Sequence, residues 1–139
     1  MSSDEERINN LVAEIRMLEG ALNEVTARQN FLERVLIDSR TSIDTINGID
    51  SSSSEEILLP VGAGMVLRSS PPKVDRVLVN IGANVLVEKS KEDAVNFMEK
   101  RVKDLEESLT SVASQRNQIA QRLDSDRRAA QSILNRQGQ

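Results

Sequence analysis

The chain has 139 residues, room for one domain, and only Phe31 and Phe97 are aromatic, which excludes a core built on large rings. Its net charge of −4, with acids and bases interleaved, argues against an electrostatic nucleic-acid binder, which needs a basic face. Cysteine, histidine, tyrosine and tryptophan are absent, so disulfides, the usual zinc ligands and the usual base for a serine nucleophile are missing; no enzyme activity, metal or cofactor is expected. The start, Met-Ser-Ser-Asp-Glu-Glu-Arg, is acidic and polar, and no apolar run reaches the length of a membrane span. A soluble, cytoplasmic protein is the expectation.

The first element is a long helix over residues 4–48. Ser2, Ser3 and Asp4 are good capping residues, and Glu5 and Glu6 suit the positive end of the helix dipole. Apolar positions then step by three and four: Ile8, Leu11, Ile15, Leu18, Leu22, Val25, then Gln29, Leu32, Leu36, Ser39, Ile43 and Ile46. That is a heptad seam of more than five heptads with two polar interruptions. Asn47-Gly48 is a stop signal. Asp50 to Ser54 reads as a short polar linker.

The next stretch, residues 55–89, is one pattern written twice. A shift of twenty residues lays Leu58 on Leu78, Gly62 on Gly82 and Ala63 on Ala83, while Ile57/Val77, Val61/Ile81 and Met65/Val85 are conservative. Each copy reads as a β-hairpin. The expected strands are 56–60, 65–68, 76–80 and 85–89. Gly62 and Gly64 supply positive φ in the first turn. Asn84 replaces Gly64 in the second, and Asn tolerates the left-handed region next best. Ser69 to Lys73, with two prolines, separates the copies.

A second helix is expected over residues 90–136, capped by Ser90. Its seam reads Val95, Met98, Val102, Leu105, Leu109, Val112, Arg116, Ile119, Leu123, Asp126, Ala130 and Ile133. Both seams span 38 residue steps, roughly 57 Å of helix at 1.5 Å per residue. Matched length predicts that the two helices pair antiparallel, Ile46 near Val95 and Ile8 near Ile133. Arg116 then falls opposite Val25 and Asp126 opposite Ile15. Polar seam residues fix register at some cost in stability.

Two-stranded hairpins are marginal alone, and these carry apolar faces and open edges. They are expected to pair with hairpins of other subunits. Closure into an intersubunit β-barrel removes the edges. The fold class is α+β: a long antiparallel two-helix coiled coil with two central β-hairpins. Candidate oligomerisation residues are Ile57, Leu58, Leu59, Val61, Gly62, Gly64, Val66, Val77, Val79, Ile81, Gly82, Asn84, Val85 and Val87.

The run Ile-Leu-Leu-Pro-Val-Gly-Ala-Gly-Met-Val-Leu, its echo Val-Leu-Val-Asn-Ile-Gly-Ala-Asn-Val-Leu-Val-Glu-Lys, and the helix with Ala94, Phe97, Lys100-Arg101 and Leu105-Glu106 resemble the alpha class of prefoldin subunits, of archaeal type. The resemblance covers nearly the whole chain. It implies one prefoldin-like domain over residues 1–139 and a heterohexamer of two alpha and four beta subunits, with a double β-barrel body and six coiled coils. It implies a chaperone that works without ATP, captures unfolded polypeptides between coil tips and delivers them to a group II chaperonin. Beta-class subunits carry one hairpin, so the doubling favours the alpha class.

Where the two helices reach their free ends, apolar residues gather: Ile8, Leu11, Val12, Ile15, Ile133 and Leu134. These are the candidate client contacts. Val12 and Leu134 lie off the strict seam and are the better placed to face a client. Each patch is weak, at about 1.5–3 kcal/mol per side chain buried, and several tips on one scaffold make weak contacts useful. The rival reading is a structural coiled-coil adaptor assembled through its hairpins. A specific partner site usually shows aromatic or Arg anchors, and the arms have almost no aromatics. No nucleic-acid or membrane partner is expected.

Overall fold

The computed structural model describes residues 3–138. The element order is α1 (Ser3–Gly48), β1 (Ile57–Gly62), β2 (Met65–Ser69), β3 (Arg76–Asn80), β4 (Leu86–Ser90) and α2 (Lys91–Gln137). Every expected element is present. Ser2, offered as a cap, lies outside the described residues. Ser90 does cap α2: its Oγ accepts a hydrogen bond from the Asp93 amide at 3.1 Å, satisfying one of the donors that a helix start leaves open. The packing divides into two compact units, one built from Met1–Val35 and Leu105–Gln139, the other from Leu36–Asp104.

The first unit is a pair of antiparallel helical segments. Its core is the α2 seam: Val112, Leu123, Asp126 and Ile133 are at most 4% exposed. The facing seam of α1, Ile8, Leu11, Ile15, Leu18, Leu22, Val25 and Leu32, is half-buried. Polar contacts across the pair report the register. Asp4 meets Arg136 at 3.8 Å, Glu14 meets Arg122 at 2.6 Å, Glu19 meets Arg127 at 2.9 Å and Gln29 meets Arg116 at 3.4 Å. These are the pairings expected of helices matched end to end. Arg116, expected opposite Val25, reaches one turn along to Gln29 Oε1 because its long side chain seeks the polar partner.

The second unit holds both hairpins. β1 and β2 pair antiparallel, as do β3 and β4, and the two sheets are separate. In the first, Leu58 faces Arg68, Leu59 faces Leu67 and Pro60 faces Val66; a bulge then brings Gly62 opposite Met65. In the second, Leu78 faces Glu88, Val79 faces Val87 and Asn80 faces Leu86. The twenty-residue shift therefore carries register as well as sequence. It also carries the turn. Ala63 and Gly64 sit at φ 51° and 79°, Ala83 and Asn84 at 50° and 60°, the two consecutive left-handed residues of a type I′ turn. Gly62 and Gly82 precede them at φ 107° and 122°, where a side chain is strained. In the second copy Asn80 Oδ1 accepts from the Gly82 amide at 2.9 Å, and Gly82 carbonyl accepts from the Val85 amide at 2.9 Å. The linker is held locally: Asp50 Oδ1 accepts from both the Ser52 amide and the Ser52 hydroxyl, which lowers the Asp50 pKa.

Among the described residues no closed barrel forms. Each sheet has two strands and two open edges.

Candidate functional site

The two hairpins share a backbone and differ in what covers them. In the first, Leu58, Leu59, Val61, Met65, Val66 and Leu67 are all between 44% and 65% exposed. Leu58 and Leu59 are neighbours on one strand and so point to opposite faces. Both faces of this hairpin are therefore bare, with only its end residues Ile57 and Ser69 half-buried. In the second hairpin one face is covered. Val79 is 8% exposed, and Val77 and Val87 are half-buried, while Leu78, Ile81, Val85 and Leu86 are 49–63% exposed. Val77 and Val79 line a groove of about 220 Å³ with Ile43, Ile46, Ala94, Val95 and Met98. Ile46 and Val95, expected near each other, meet at this groove. Of the candidate oligomerisation residues, Val79 thus belongs to the core of the second unit. Met65, Leu67, Leu78 and Leu86 join the exposed set that sequence reading had left out; their period-two alternation with the chosen residues was the available signal.

Among the apolar residues near the helix ends, Ile133 is 1% exposed and closes the seam, so the paired helices leave it no free surface. Ile8, Leu11 and Ile15 are half-buried. Val12 and Leu134, the off-seam pair, are 38% and 50% exposed. Two further off-seam residues of the first unit, Met17 and Phe31, are also exposed. They lie two heptads apart, on one face of α1, a spacing that sequence reading passed over.

The charged groups form one unusual cluster. Arg122 Nε lies 2.6 Å from Glu14 Oε1 and 3.4 Å from Asp126 Oδ1. The hydrogen bond from Arg122 lowers the Glu14 pKa. Burial raises that of Asp126, and the nearby Glu14 carboxylate raises it further. Elsewhere in the first unit the ion pairs are at the surface and contribute little. In the second unit Lys89 and Arg101 both approach the Phe97 ring, at 5.4 and 5.0 Å from its centroid. Among the described residues no cluster of three or more His, Cys, Asp or Glu side chains could hold a metal, and no helix is long and apolar enough to cross a membrane.

This arrangement has known counterparts. The family profile described as Prefoldin subunit matches residues 18–136. The prefoldin subunit alpha of Methanoculleus marisnigri is 32% identical over 139 residues, covering 90% of this chain and 93% of the relative. That of Nitrosopumilus maritimus is 25% identical over 130 residues, covering 94% and 90%. Among solved structures, the prefoldin beta subunit from Thermococcus strain KS-1 shares the fold, with a TM-score of 0.66 at 15% identity over 96% of this chain and 97% of that one. With two long helices, two hairpins in tandem and archaeal alpha-subunit relatives matched over most of their length, the chain belongs to the prefoldin subunit family.

Proposed function

We propose that this chain is the alpha-class subunit of a hetero-oligomeric, ATP-independent holdase. Family membership supports a chaperone-subunit role. The observation that carries the finer reading is the first hairpin, bare on both faces. A two-stranded sheet with no covered face lacks the burial that stabilises it, so other chains supply that burial. Beta-class subunits are the proposed partners, two alpha with four beta, and a shared β-barrel is the proposed closure. Chains joined in this way hold several coil ends on one scaffold. The ends carry Val12 and Leu134 as exposed apolar contacts, individually weak and blind to sequence, which suits capture and release of unfolded polypeptides. Delivery to a group II chaperonin completes the proposal.

The test is aggregation suppression by the complex assembled with beta-class subunits, against several unrelated unfolded proteins. Suppression of all of them at near-stoichiometric complex, without ATP, is the expected result. Failure with every client returns the chain to the adaptor reading, in which the hairpins assemble and the coils bind one defined partner.

A further inference from the structure

Asp126 occupies a seam position of the first unit, between Leu123 and Ile133, which are 3% and 1% exposed; Asp126 itself is 4% exposed. It is short of donors. One guanidinium, Arg122, serves two carboxylates and gives its short bond, 2.6 Å, to Glu14 and a longer contact, 3.4 Å, to Asp126 Oδ1. Asp126 Oδ2 is buried and accepts no hydrogen bond from any described residue. Neighbouring charges are engaged elsewhere: Asp124 with Arg128 at 3.1 Å and Glu19 with Arg127 at 2.9 Å. The charged groups facing Asp126 are therefore Glu14 from α1 and Arg122 from its own helix. A buried carboxylate with an orphan oxygen, beside a second carboxylate, opposes the packing around it.

We propose that Glu14, Arg122 and Asp126 form a proton-gated weak point in the two-helix coil: ionised Asp126 loosens the pairing around itself, and protonated Asp126 donates to Glu14 and tightens it. The proton comes from solvent and forms the Asp126 O–H, and no other covalent bond changes. The sense of the pH dependence follows from the two carboxyls. Asp126 holds its proton more readily in the folded coil than in the unfolded chain, so falling pH stabilises the coil as Asp126 protonates. Glu14 behaves oppositely: its contribution is lost as pH falls from the ordinary carboxylate range through its own lowered pKa. Coil stability thus peaks between the two protonations. Opening at this point exposes Ile15, Leu123 and Ile133, so the same group sets how much apolar surface the first unit offers. The inference concerns the coil alone and stands whether or not the holdase reading does.

Hydrogen exchange read by mass spectrometry on the full chain tests it, with rates corrected for the intrinsic pH dependence of exchange. In the wild type, protection of residues 8–18 and 119–133 rises as pH falls from neutral toward the carboxylate range, then declines. Asp126→Asn places a donor beside Glu14 and raises neutral-pH protection there by at least about fivefold, the lower end of what partnering a buried orphan acceptor is worth, and it abolishes the rise. Asp126→Leu, an apolar seam residue, does the same without any hydrogen bond. Glu14→Gln weakens the rise, and Asp124→Asn, an exposed carboxyl on the opposite side of α2, leaves it intact. Neutral-pH protection unchanged or lowered in both Asp126 variants overturns the proposal, as does a rise that survives in Asp126→Asn or disappears in Asp124→Asn.

Discussion

Leu58 and Leu59 make the sharpest test of how the first hairpin is used. They are adjacent, on opposite faces, and 65% and 44% exposed. Burying a leucine fully is worth about 1.5–3 kcal/mol, so with roughly half its surface still open each has about 1–2 kcal/mol left to gain on assembly. Leu58→Glu forfeits that gain and carries a carboxylate into the contact, at a further cost of several kcal/mol. A combined loss of at least about 3 kcal/mol weakens association roughly a hundredfold. The hairpin itself is spared, because Arg68 lies directly across from position 58 and receives the new carboxylate. Leu59→Glu makes the same test of the other face, opposite Leu67. Both variants are expected to keep the helicity of the wild type by circular dichroism and to fail to assemble with beta-class subunits in native mass spectrometry. Assembly of either variant at wild-type affinity refutes the reasoning that both faces are covered by partners.

Ile133→Ala removes the most deeply buried side chain of the first unit and is expected to cost about 2–5 kcal/mol in urea unfolding; a loss below about 1 kcal/mol removes Ile133 from the seam. Gly62→Ala forces a side chain onto φ 107° and is expected to cost about 1–3 kcal/mol in hairpin stability, read as a lower unfolding temperature of the assembled complex. Ala63→Gly, at φ 51°, is expected to change that temperature little, since relieved strain offsets added freedom in the unfolded chain. Joint substitution Val12→Asp and Leu134→Asp is expected to leave the mass of the complex unchanged and to reduce client capture several-fold, because each of these residues contributes on the order of 1 kcal/mol of apolar contact per tip. Capture at wild-type level in an aggregation assay places the client contact elsewhere.

The elements were legible because their signals are local. The heptad steps from Ile8 to Ile46 and from Val95 to Ile133 define both helices, and equal length implies the antiparallel match that Asp4–Arg136 and Glu19–Arg127 report. Turn chemistry at Ala63-Gly64 and Ala83-Asn84 fixed the hairpins and, through the twenty-residue shift, their common register. What was not legible depends on pairing. Asp124 and Asp126 lie about 200° apart on one helix, so the sequence shows no carboxylate pair there. The actual neighbour of Asp126 is Glu14, which sits beside the seam on the other helix and meets Asp126 only once the helices are packed. Ile133 and Leu134, by contrast, are separable in the sequence: the heptad seam takes Ile133 and leaves Leu134 outside it, and one residue of helical rotation makes one the core and the other surface.

The hairpins show most directly how burial departs from sequence. Leu59 and Val79 occupy equivalent positions in two copies with the same register and the same turn, yet they are 44% and 8% exposed. Neither strand pattern predicts this, since both strands carry three consecutive apolar residues at equivalent positions, Ile57 to Leu59 and Val77 to Val79. The difference comes from the helices: Ile43, Ile46, Ala94, Val95 and Met98 form a groove with Val77 and Val79, and no equivalent apolar wall stands against β1. β4 also leads directly into α2, and the Lys91 amide bonds back to the Asp75 carbonyl at 2.9 Å, so the second hairpin is tied to the helix at both its ends. The first is joined to α1 through the polar Asp50–Ser54 turn instead. One copy of the repeat is thus spent partly on holding the second unit together. The other keeps both faces bare.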